Sequence, residues 1–75
     1  MDEATLVSYI LQYARREVVG GKGRLFLPDF LEVLPNPKPS ANEILSAWRK
    51  AYPKIPIFQA TENVILVYIG DNACV

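Results

Sequence analysis

Seventy-five residues, 51% hydrophobic and 21% charged, specify one small globular domain over residues 1–75. A chain of this mass buries about 60% of its unfolded surface, and the composition excludes intrinsic disorder. Eight Lys and Arg balance eight Asp and Glu, which excludes a protein that holds nucleic acid by global charge alone but leaves room for a local patch. There is no histidine, and Cys74 is the single cysteine. The commonest general base, an internal disulfide and a cysteine zinc cluster are therefore ruled out.

The longest apolar run, Val64 to Ile69, is six residues; a membrane-spanning helix needs about 20. The opening Met1-Asp2-Glu3 is acidic and no apolar segment with a small-residue cleavage site follows. With one thiol and no export signal, the expected location is intracellular, in the cytoplasm or the nucleus or nucleoid.

In chain order, Leu6, Val7, Ile10, Leu11, Ala14 and Val18 recur at three- and four-residue spacings and predict a first helix over 4–19. Asp2 and Glu3 suit its positive end, Arg15 and Arg16 its later turns, and Gly20-Gly21 supplies a stop. After the Lys22-Gly23 turn, Arg24-Leu25-Phe26-Leu27 predicts a short strand. Pro28-Asp29 opens a second helix through Leu34. Pro35, Pro37 and Pro39 then forbid helix and favour a stiff, polyproline-like spacer.

Ser40-Ala41-Asn42-Glu43 fits a capping box. Behind it Ala41, Ile44, Leu45, Trp48 and Tyr52 form the apolar stripe of a third helix over 40–52, closed by Pro53. The β-branched and aromatic runs Ile55 to Thr61 and Asn63 to Ile69 predict an antiparallel hairpin that ends at Gly70-Asp71-Asn72. The expected class is α+β: three helices, a short strand and a C-terminal hairpin.

The order helix, short strand, helix, helix, hairpin resembles the winged-helix DNA-binding superfamily along nearly the whole chain. The resemblance is one of element order, with no motif and no subfamily. It implies that Arg24 to Leu27 pairs with the hairpin and that Ser40 to Tyr52 is the helix laid in the major groove. Two features depart from the superfamily pattern. The Pro35–Pro39 connector is longer and stiffer than the usual tight turn, and the short wing carries Glu62 and Asn63 at its tip where Lys or Arg would suit a groove.

With the apolar stripe inward, helical geometry turns Asn42, Ser46, Arg49 and Lys50 outward together. Asn reads adenine, Arg reads guanine, and Ser and Lys contact bases or phosphate. The competing reading is a solvated helix face whose bases complement the dipole. Between Arg15 and Lys54 the chain carries all eight bases and four acids, a net +4 that forms a footprint if folding gathers it. Lys22, Arg24 and Lys54 are the further candidates for phosphate contact. Gly20-Gly21-Lys22-Gly23 lacks the P-loop pattern and follows a helix, so a flexible turn is the favoured reading.

Tyr9 and Tyr13, four residues apart beside the core face of the first helix, are candidates for an aromatic patch serving a protein partner or a homodimer. Trp48, on the apolar stripe, is expected in the core. No nucleophile with a partner and no paired carboxylates at a recognisable spacing are present, so the expectations are no enzyme, no cofactor and no metal. DNA is the expected partner; a protein-interaction or dimerisation module is the alternative.

Overall fold

In the computed structural model, which describes residues 1–70, the Asp2 carboxylate accepts the backbone N–H of Thr5 at 2.8 Å and starts helix α1, Glu3–Arg16. Arg15 and Arg16 close it at the negative dipole end. The helix buries Leu6, Val7, Ile10 and Ala14. It stops short of the predicted residue 19, and Val18 belongs to a strand. Val18–Val19 form β1, paired antiparallel with β2, Lys22–Phe26. Gly20 and Gly21, at φ 60° and 78°, make a two-residue hairpin turn that needs positive φ at both central positions. The same Gly-Gly that reads as a helix stop is thus the turn of a β-hairpin, and the β-branched Val18-Val19 pair falls into the strand before it.

The second strand starts at Lys22, two residues earlier than predicted, and ends at Phe26. Leu27, expected to end that strand, instead opens α2, Leu27–Val33. Its N–H donates to the carbonyl of Asn63 at 2.7 Å, and Pro28 occupies the first turn, where no N–H is required. The proline connector does not run straight but bends at Asn36 and Pro37. Leu34 at its start is buried, and Lys38 Nζ donates to the Leu34 carbonyl, one of the acceptors a helix end leaves unused.

The capping box forms as expected. Ser40 Oγ accepts the Glu43 N–H at 3.2 Å and the Glu43 carboxylate accepts the Ser40 N–H at 3.0 Å, starting α3, Ala41–Ala51. Ile44, Leu45, Ala47 and Trp48 are buried, whereas Tyr52, expected on the stripe, is 37% exposed at the C-cap. Its ring lies 4.7 Å from that of Trp48. Strands β3, Ile57–Thr61, and β4, Val64–Val67, form the predicted hairpin. It begins after Pro56, because the Ile55 N–H is used in a turn to Tyr52 and Pro56 has none to give.

The result is an α+β domain of three helices and a four-stranded antiparallel sheet in the order β1-β2-β4-β3. Gly23 and Leu25 on β2, Ile65 and Val67 on β4 and Ile57 on β3 face the helices and are buried. α1 packs on β2 and on α3, and α3 also meets β3. Trp48, with no exposed surface, sits in this core with its indole N–H donated to the Ile55 carbonyl at 2.9 Å. Asp71 and Asn72, expected to end the hairpin, and Cys74 lie outside the described residues.

Candidate nucleic-acid interface

The buried arc of α3 leaves Asn42, Glu43, Ser46, Arg49 and Lys50 exposed. Asn42, Ser46, Arg49 and Lys50 line one shallow depression floored by Leu45. The four residues singled out from helical spacing are therefore brought together. Arg49 is partly committed: its guanidinium donates to the Ile57 carbonyl at 3.1 Å, tying α3 to β3 and holding the remaining donors at the rim of the depression. Lys50 Nζ lies 3.3 Å from the Glu3 carboxylate, with both side chains mostly exposed. Such a pair is weak and exchangeable.

Acid flanks this face. Asp2, Glu3 and Glu43 line a neighbouring groove with Lys38 and Ser46. Two of those carboxylates are already used at helix starts, Asp2 for α1 and Glu43 for α3. The Thr5 hydroxyl and backbone N–H hold Asp2 below the ordinary carboxylate range, since hydrogen bonds to the charged form favour it.

The remaining candidates fall elsewhere. Lys22 and Arg24 alternate with buried Gly23 and Leu25, so they stand on the sheet face turned away from the helices. Arg24 lies 3.4 Å from Glu17, and Lys54 is exposed in the α3–β3 connection. The eight bases are thus dispersed, with Arg49 and Lys50 on α3, Lys22 and Arg24 on the outer sheet face, Arg15 and Arg16 at the end of α1, and Lys38 and Lys54 in connecting segments. Tyr9 and Tyr13 are half-buried and packed against the core. The Tyr13 ring meets Phe30 edge-on at 5.3 Å and carries the Arg16 guanidinium.

Sequence reasoning missed Glu3, whose pairing with Lys50 spans 47 positions and leaves no local signal. It also missed the outer sheet face, although the alternation in Lys22-Gly23-Arg24-Leu25 carries that signal. Among the described residues no cluster of His, Cys, Asp and Glu is arranged to hold a metal, and no helix is long and apolar enough to cross a membrane. Comparison with family models, curated proteins and solved structures finds no match.

Proposed function

We propose that this chain is a non-catalytic, winged-helix-like domain that binds DNA with α3 as its reading helix. The observation that carries the reading is the convergence of Asn42, Ser46, Arg49 and Lys50 around one depression on the exposed face of a capped helix. Asn42 supplies the donor and acceptor pair that suits adenine, Arg49 the paired donors that suit guanine, and Arg49 and Lys50 two cations. The pairing of β2 with β4, and of β4 with β3, supports it further. This is the arrangement that the resemblance in element order implies, with the strand ahead of α2 joined to the C-terminal hairpin. β1 is an addition at the sheet edge.

Binding proceeds by exchange. A phosphate oxygen replaces the Glu3 carboxylate at Lys50, while Arg49 keeps its bond to Ile57 and offers its outer donors to a base edge or a phosphate. Fluorescence anisotropy with a labelled mixed-sequence duplex at low salt tests the proposal. The expected Kd without a cognate site is about 10⁻⁴–10⁻⁶ M, rising steeply with salt. Substituting Asn42→Ala together with Lys50→Ala weakens it without altering the circular dichroism. A duplex affinity that this pair leaves unchanged refutes the assignment to α3.

A further inference from the structure

We propose a second binding site on the outer face of the sheet, which takes single-stranded nucleic acid by stacking unpaired bases on Phe58 and Tyr68 and pairing phosphates with Lys22 and Arg24. This surface is distinct from α3 and does not depend on the reading given above.

The pleat assembles the face. Arg24 pairs with Leu66 and Leu66 with Phe58, so one row across β2, β4 and β3 reads cation, apolar, aromatic. The adjoining row holds Lys22, with its ammonium 5.5 Å from the centre of the Tyr68 ring. The Phe58 and Tyr68 rings are 5.4 Å apart and tilted by 34°, an open aromatic pair rather than a closed core contact. Phe58 is 40% exposed. Arg24 lies 5.5 Å over the ring of Phe26. Leu25, Ile65, Val67 and Ile57, which alternate with these residues, are buried beneath the sheet.

Charge selects the occupant. β2 is an interior strand of the sheet, so Lys22 and Arg24 stand within the face rather than on its rim. A purely apolar partner, or a second copy of this face, would bury those cations at a cost. A ligand that alternates flat rings with anions meets both features, and single-stranded nucleic acid is that ligand: aromatic platforms take any base by stacking while nearby cations follow the backbone. Glu17, 3.4 Å from Arg24, is the internal competitor for the phosphate.

The test is anisotropy titration of a fluorescein-labelled oligothymidylate of about 10 nucleotides, within the size range of small stacking sites, with a labelled duplex in parallel. Phe58→Leu with Tyr68→Leu keeps apolar bulk but removes the rings. It is expected to weaken oligothymidylate binding at least about fivefold while duplex binding stays unchanged. Lys22→Gln is expected to lower the salt slope by about 0.7, and Glu17→Gln to tighten binding. Circular dichroism melting of each variant confirms the fold.

Three titration results overturn the proposal: no oligothymidylate binding by the wild type at about 100 μM, the weak end of ordinary non-specific Kd values; binding that the leucine pair leaves intact; or binding lost equally on Lys50→Ala, which assigns it to α3. Sedimentation velocity that shows a dimer abolished by the leucine pair overturns it as well, making a second copy the occupant. Loss of duplex binding alone refutes only the α3 reading.

Discussion

A Cβ placed on Gly23 would lie 2.7 Å from the Cβ of Ala14 and 2.8 Å from its carbonyl oxygen, so α1 rests on β2 at a separation that only glycine permits. The contact fixes the height of the helix above the sheet, and through α1 it sets where α3 stands. Relief would require moving helix backbone, not merely rotating a side chain. Gly23→Ala is therefore expected to cost about 1–3 kcal/mol, lowering Tm by at least about 4 °C for a domain of this size. Thermal melting followed by circular dichroism measures it, and an unchanged Tm refutes the close approach.

The hairpin turn has a different requirement. Gly20 has open space where a Cβ would point, but its φ of 60° is left-handed, a conformation costing most residues about 1–2 kcal/mol. Gly20→Asn is expected to be nearly neutral because Asn tolerates this region, whereas Gly20→Val lowers stability by about that amount. Equal melting temperatures for the two variants would exclude the two-residue turn.

Trp48 tests the core. Its indole N–H satisfies the Ile55 carbonyl and so pins the turn that leads into β3. Trp48→Phe removes volume and leaves that part-buried acceptor without its donor, an expected loss of about 1–3 kcal/mol. Urea denaturation gives the value, and Trp48→Ala is expected to cost more, about 3–5 kcal/mol.

The Lys50–Glu3 pair separates stability from binding. Because both side chains are exposed, Glu3→Gln is expected to change stability by less than about 1 kcal/mol. Removing the competing carboxylate leaves Lys50 to phosphate, so duplex affinity should rise by up to about fivefold at low salt. Affinity unaffected by Glu3→Gln would show that Lys50 takes no part.

Asp2 gives a pH dependence. Hydrogen bonds from Thr5 lower its carboxyl pKa in the folded state, so its contribution to stability is complete above the unfolded value of about 4. That contribution disappears as pH falls through the lower folded value. The stability difference between wild type and Asp2→Ala should therefore be constant near neutrality and shrink under acid conditions below about pH 4. A difference that grows on acidification would contradict the cap.

By itself the sequence determined the elements whose signals are local. The capping box at Ser40 and Glu43, the stripe through Ile44, Leu45 and Trp48, and the β-branched runs of the hairpin lie within a few residues of the partners that stabilise them. Spacing alone was also enough to group Asn42, Ser46, Arg49 and Lys50, because helical geometry is rigid over three turns.

What the tertiary structure decided depends on residues far apart in the chain. Val18 satisfied the helical period as well as any position in α1, and it became a strand because Gly20-Gly21 could fold Lys22–Phe26 back against it. Tyr13, half-buried, meets Phe30 edge-on. The dispersal of the eight bases over α1, α3, the outer sheet face and two connections, and the acids that meet Lys50 and Arg24, follow from pleat and packing. A period of two or of 3.6 says which residues share a face, but only the assembled layers say which face another element covers and which is left to solvent.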